Sequence, residues 1–141
     1  MTTQSPLMAP LAVGATFSFR KTMTVAEQAM FTGISGNLGP LYVDARAAAK
    51  AGAAGMVSFE LAVSALSTTC LNRLGGPDRR IGAIALTFMA PVIVGESVQA
   101  SAEITAIEGD DAVCKISCIN SGTGEEIIAG TARLVPFAAK G

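Results

Sequence analysis

No histidine occurs among the 141 residues, so proton transfer would fall to carboxylates, to the single tyrosine or to water. A Ser-His-Asp or Cys-His relay, an imidazole base and a histidine-ligated zinc are excluded. No metal or cofactor is expected. Glu60 stands in the most apolar stretch of the chain, between Phe59, Leu61 and Val63. A carboxylate there is costly unless it is paired or near solvent. At helical spacing Glu60, Ser64 and Ser67 share one stripe. That stripe supports two readings of Glu60. One is a general base or nucleophile whose pKa burial raises. The other is a subunit-interface carboxylate bonded to an arginine or to backbone. Upstream, Ser35-Gly36-Asn37-Leu38-Gly39-Pro40-Leu41-Tyr42 is a loop by its glycine and proline content. Asn37 and Tyr42 could orient a water or a carbonyl; equally, Asn37 could make an Asx turn and Tyr42 could pack. Asp44 reads as a helix cap. Arg79 and Arg80 could meet phosphates or stand solvated. Gly75-Gly76-Pro77 is too short for a P-loop, which argues against nucleotide hydrolysis.

The elements that must position these groups belong to one domain at this length. Ten Lys+Arg against eleven Asp+Glu give a net charge of -1, without the basic excess of a nucleic-acid or anionic-membrane binder. Hydrophobic residues at 50% and charged residues at 15% argue against disorder. So little charge leaves surface to be covered by another copy, and a homodimer or higher homo-oligomer is expected. Cys70, Cys114 and Cys118 read as small core residues in a reducing compartment. The first ten residues lack the basic and apolar regions of a secretory signal, and no stretch is long enough to span a membrane. A cytoplasmic protein is expected. Residues 1–13 read as an arm, 14–137 as the domain and 138–141 as a tail.

Along the chain, Gly14 to Met23 alternates as a first strand. Thr24-x-x-Glu27 is a capping box opening a helix that carries Val25, Ala29 and Met30 and ends near Gly33 or Gly36. Asp44 caps a short Ala-rich helix ending at Gly52. Met56 to Leu74 is apolar almost all round, so it predicts a long buried helix. Strands follow at Ile81–Pro91, with Ile84, Leu86 and Phe88 on one parity, then at Glu96–Ile107, Ala112–Asn120 and Glu126–Phe137. Ser121-Gly122-Thr123-Gly124 reads as a hairpin turn. Segregated helices and strands predict an α+β fold. Its form is a single hotdog domain, an antiparallel sheet wrapped round a long central helix, with the last four strands as a meander.

Four motifs in order resemble the MaoC-like, (R)-specific enoyl-CoA hydratase family. They are Gly14-Ala15-Thr16-Phe17 leading to Thr24-Val25-Ala26-Glu27, the loop from Phe31 to Asp44, Ala54-Gly55-Met56-Val57, and Phe88-Met89-Ala90-Pro91-Val92-Ile93-Val94-Gly95-Glu96. The resemblance spans about Gly14 to Pro136. It implies an acyl-CoA site in a tunnel between two subunits, with hydration or dehydration of a 2-enoyl thioester. The family loop reads Ser-Gly-Asp-x-Asn-Pro-x-His, and its Asp and His form the acid/base pair. Here Asn37, Gly39 and Tyr42 stand at the Asp, Asn and His positions, and Ala54 replaces the His before Gly-Met. An amide is no base, and a phenol with a pKa of about 10 is a poor one. By resemblance, Gly55 opens the central helix and its amide would hold the thioester oxygen, where a helix N-terminus offers free N–H groups. Asn37, Tyr42, Gly55 and Glu60 are therefore the catalytic candidates. Gly39, Pro40, Leu41, Met56 and Ser64 are the expected substrate contacts, with Arg79 and Arg80 for the CoA phosphates. Two other functions remain open: an acyl-CoA thioesterase using Glu60, and a non-catalytic acyl-CoA-binding hotdog subunit.

Overall fold

A computed structural model describes residues 9–137. The expected arm is thereby described only from Ala9 onward, and the expected tail lies outside the described residues. Five strands form one antiparallel sheet: β1 (Thr16–Thr22), β2 (Arg79–Phe88), β3 (Ser97–Glu108), β4 (Asp111–Asn120) and β5 (Glu126–Pro136). Four helices precede β2: α1 (Val25–Ser35), α2 (Pro40–Val43), α3 (Ala45–Lys50) and α4 (Glu60–Gly75). Spatial order in the sheet is β1-β3-β4-β5-β2. The curled sheet holds α4 on its concave face, chiefly across β1 and β3. No helix among the described residues is long and apolar enough to cross a membrane.

Local chemistry explains most of the element ends. Thr24 Oγ1 accepts from the Ala26 amide, and Glu27 reaches back to the Thr24 amide, completing the expected capping box. Gly36 ends α1 at φ 74°, a left-handed conformation that glycine adopts without strain. Asp44 caps α3 through the amides of Arg46 and Ala47. In β3 the alternation puts Val98, Ala100, Ala102 and Ile104 into the core beside Ile116, Cys114 and Cys118 of β4. Cys70 is buried there as well.

Four expectations need correction. The last four strands are not a simple meander: β3, β4 and β5 are, but β2 crosses to pair with β5 at the far edge. The central helix starts at Glu60 rather than Met56, because Val57 forms a β-bridge with Ile93 and the chain stays extended up to Phe59. The parity assigned to β2 buries only Leu86, and that in part, against the core. Ile84 and Phe88 are 44% and 41% exposed on an edge strand whose outer side has no neighbour among the described residues. On α1, Val25 and Met30 face solvent, while Gln28 and Phe31 turn inward.

The capping box supplies a test of the local reading. Thr24→Ala should cost about 1 kcal/mol in chemical unfolding. Burial pushes the Glu27 carboxyl up, but hydrogen bonds from Thr24 and the Lys21 ammonium, 3.0 Å away, outweigh it and hold the pKa at about 2. A lowered native pKa means that stability is fully present above the unfolded value of 4.5 and is lost as pH falls from there towards 2. Unfolding midpoints measured between pH 6 and pH 2 should therefore lose less in Glu27→Gln than in the wild type.

Candidate functional site

The loop after α1 is tied down by its own polar atoms. Asn37 Oδ1 accepts from the Gly39 amide at 2.8 Å, an Asx turn, and Thr32 Oγ1 donates to the Asn37 carbonyl at 2.9 Å. At Gly39, a Cβ would lie 3.1 Å from Asn37 Oδ1 and 3.2 Å from Tyr42 Cδ2, so any side chain there would have to push one of them aside by a few tenths of an ångström. Pro40 then begins α2, a single turn that lifts Tyr42 towards α4. The Tyr42 ring lies flat on Phe59, with centroids 4.5 Å apart and planes 16° from parallel. Phe31 of α1 stacks on Phe59 at 4.6 Å. Phe59 is buried between Phe31 and Tyr42.

This stack aims the phenol at the helix start. Tyr42 Oη donates to Glu60 Oε1 at 2.7 Å. Glu60 is the first residue of α4, where the positive end of the helix favours a carboxylate. Two of the four catalytic candidates are thus brought together, a pairing that no local sequence signal marks. The hydrogen bond to Glu60 raises the Tyr42 pKa above 10.0, and partial burial and the carboxylate charge push the same way. Tyr42 is therefore a committed donor at neutral pH. The deep burial expected for Glu60 is only partial: the residue is half-buried and Leu61 beside it is 57% exposed. Among the described residues Glu60 bonds neither arginine nor backbone.

The other candidates are placed less favourably. Asn37 is exposed, with its side-chain oxygen engaged in the Asx turn. Gly55 does not open the helix; it lies five residues before Glu60, in a bend. The glycine there is explained by packing, because a Cβ would come within 3.0 Å of Ile93 Cγ2. Its amide makes no backbone hydrogen bond among the described residues. Leu41 accepts the Val57 amide through its carbonyl at 3.1 Å. Ser64 is buried and spends its hydroxyl on the Leu61 carbonyl. Arg79 is buried and donates to the carbonyls of Asp110, Ala9 and Gly75, which turns its guanidinium inward. Arg80 is exposed beside it, beyond the far end of a 16-residue helix, about 24 Å long at the usual rise. Met56 lines a concavity of about 400 Å³ with Tyr42, Leu38 and Val43 from the loop and Val25, Gln28, Ala29 and Thr32 from α1.

Sequence reasoning missed Gln28. It is 5% exposed, and its amide bonds the backbone of both segments that carry Tyr42 and Glu60. Its only signal was a polar side chain within a capped helix, one turn after the cap.

The profile of the MaoC-like domain matches residues 9–126. No curated protein sequence matches the chain. Among solved structures, an (R)-hydratase from A. caviae involved in PHA biosynthesis superposes with a TM-score of 0.84 at 27% identity, covering 90% of this chain and 98% of that one. The R-hydratase PhaJ1 from Pseudomonas aeruginosa gives 0.81 at 19%, covering 93% and 90%. A variant of the fluoroacetyl-CoA-specific thioesterase FlK gives 0.68 at 17%, covering 92% and 90%.

Because the chain has one tyrosine and no tryptophan, phenolate absorbance reports on Tyr42 alone. The wild-type titration midpoint should lie above 10, and Glu60→Gln should bring it back towards the ordinary value of about 10, since the charge that favours the neutral phenol is gone. An unchanged midpoint would break the assignment of the Tyr42–Glu60 bond.

Proposed function

The chain belongs to the MaoC-like domain family, and from that membership we propose that it adds water to, or removes it from, the double bond of a 2-enoyl-CoA thioester in the cytoplasm. The observation that carries the reading is the hydrogen bond from Tyr42 Oη to Glu60 Oε1, beside an open apolar concavity. Tyr42 holds one carboxylate oxygen. Oε2 has no partner among the described residues and is free to take a proton. In hydration, Glu60 removes a proton from water as the water oxygen bonds to C3. The electron pair of the double bond moves to the thioester oxygen, giving an enolate. Glu60 then returns the proton to C2, and dehydration is the reverse. Water and substrate atoms balance, and no imidazole is needed. The unbonded Gly55 amide is the proposed support for the enolate oxygen, without the helix dipole that the sequence suggested. Asn37, next to Gly39 and Tyr42, has an exposed side chain whose amide nitrogen could orient the incoming water.

The unengaged Oε2 also favours a second reading. The same base could direct water at the thioester carbonyl, which would make the protein an acyl-CoA thioesterase. The two readings separate in one assay: crotonyl-CoA and butyryl-CoA are each given to the protein while enoyl absorbance and free thiol are followed independently. Loss of enoyl absorbance without thiol supports hydration, and thiol release supports hydrolysis. Binding with neither would make the chain a non-catalytic acyl-CoA-binding subunit. In either catalytic case Glu60→Gln should keep binding and lower turnover by about 10²-fold, the low end for a positioned acid/base group.

A second copy of the chain is the proposed cover for β2. Its outer edge offers unpaired backbone groups, and Ile81, Ile84, Phe88 and Met89 are exposed along and just beyond it. Light scattering at micromolar concentration should give at least a dimer, and Ile84→Lys should shift it to monomer while the fold survives.

A further inference from the structure

We infer that Gln28 is a positioning residue of this site: its buried side-chain amide sets the distance and angle at which Tyr42 meets Glu60. The inference rests on the reading of Tyr42 and Glu60 as the reacting pair. A buried amide costs free energy unless its donors and acceptor are used. Gln28 uses all three. Nε2 donates to the Tyr42 carbonyl at 2.8 Å and to the Val57 carbonyl at 2.9 Å, and Oε1 accepts from the Phe59 amide at 3.3 Å. Those partners are not scattered. One is the backbone of the tyrosine itself, and the others flank Ser58 on the segment that delivers Glu60 as the next residue after Phe59. The Val57 amide adds a single main-chain bond to the Leu41 carbonyl, at 3.1 Å. Among the described residues no other hydrogen bond joins the α2 turn to this segment before the phenol–carboxylate bond itself. The amide therefore replaces a missing strand ladder between two short pieces of chain.

The rings show why such a clamp is needed. Tyr42 and Phe31 hold Phe59 by face-to-face stacking. Offset stacking tolerates sliding, whereas a hydrogen bond weakens steeply with distance and angle. The stack sets the height of the phenol over Phe59. The Gln28 amide, bonded to both backbones, sets its position in the plane. Gln28 also lines the concavity beside Tyr42, so its own chain packing contributes to the wall that a substrate would meet.

Gln28→Met keeps the length and volume of the side chain and removes every hydrogen bond. It should lower kcat about tenfold or more with KM changed by about twofold or less, because the loss falls on the oriented transition state rather than on binding. Thermal unfolding alone would not reveal this role, since three buried backbone groups lose partners in any case. Two readouts do. In the variant, the phenolate midpoint of Tyr42 should move back towards about 10 at a temperature where the protein is folded. On a Tyr42→Phe background, Gln28→Met should cost little further turnover. Gln28→Glu keeps an acceptor for the Phe59 amide and should give an intermediate effect. In the wild type, both side-chain amide protons of Gln28 should exchange slowly by ¹⁵N NMR. An unmoved Tyr42 midpoint in folded Gln28→Met, full additivity with Tyr42→Phe, or fast exchange of the Gln28 amide would each overturn the inference. If the wild type turns over no acyl-CoA, the functional reading falls, while the tyrosine titration and the amide exchange still decide the role of Gln28.

Discussion

Everything at the site depends on keeping residues 56–59 extended. Val94 donates to the Met56 carbonyl at 2.9 Å, Ser58 donates to the Val92 carbonyl at 2.8 Å, and Val57 donates to the Leu41 carbonyl on the other side. These bonds hold a short tongue between the β2–β3 connection and the α2 turn. A helix starting at Met56 would have to break them. With the tongue in place, α4 begins at Glu60, with Phe59 as an N-cap residue that offers no side-chain cap. The first-turn amides are then left without side-chain acceptors, and the carboxylate sits where the helix end most favours it. The same tongue presents Phe59 to Tyr42 and Phe31. One run of extended backbone thus determines the helix start, the ring stack and the place of the carboxylate.

What the sequence made legible follows from how local each signal is. The Thr24–Glu27 box, the left-handed Gly36, the Asp44 cap and the hairpin after Asn120 are each decided within a few residues, and each stands where the residues placed it. The alternation in β3 and β4 is local too, because one face of those strands is covered along most of its length. The start of α4 was not legible. Met56, Val57 and Phe59 satisfy a helical pattern, and only pairing with Ile93, far along the chain, makes them extended. The same holds for β2: its apolar parity is real, but among the described residues nothing covers Ile84 and Phe88. Arg79 misled in another way. A basic residue after a glycine turn suggests an anion site, yet three carbonyls from separate segments close around it and use it as an internal crosslink. The family resemblance carried the fold and pointed to Tyr42, but it could not pair Tyr42 with Glu60, because that contact joins positions 18 apart across a loop and a tongue.

The chemistry of the pair follows from the missing imidazole. A histidine near pKa 6.5 can both accept and return a proton at neutral pH. A tyrosine held above its ordinary pKa by a carboxylate can only donate. In the proposed reaction the labour is therefore divided: Tyr42 would orient and Glu60 would exchange protons. Asn37 cannot share the work through its oxygen, since the Asx turn already consumes it. The loop gains rigidity from that turn, and at Gly39 it packs closely enough that a Cβ would crowd Asn37 and Tyr42. Such rigidity would serve the proposed reaction, in which a single carboxylate meets both the attacking water and the carbon that receives the proton.

Solvent sets the remaining limit on the pair. A hydrogen bond between a phenol and a carboxylate is worth about 1.5–3 kcal/mol net, and water competing for the same oxygens pulls it to the low end. In the single chain the competition is strong. Glu60 and Tyr42 are half-buried, and Val25, Met30, Ile34, Leu38 and Leu61 around that end of the molecule are exposed. The apolar rim is the larger cost, for it keeps greasy surface in water while leaving the base hydrated. Covering it lowers the local dielectric and strengthens the bond that orients the base. In the proposed reaction an acyl chain lying in the concavity would be the cover nearest to Tyr42. Substrate binding and alignment of the base would then be coupled: the group that excludes water from Glu60 would be the one on which Glu60 acts.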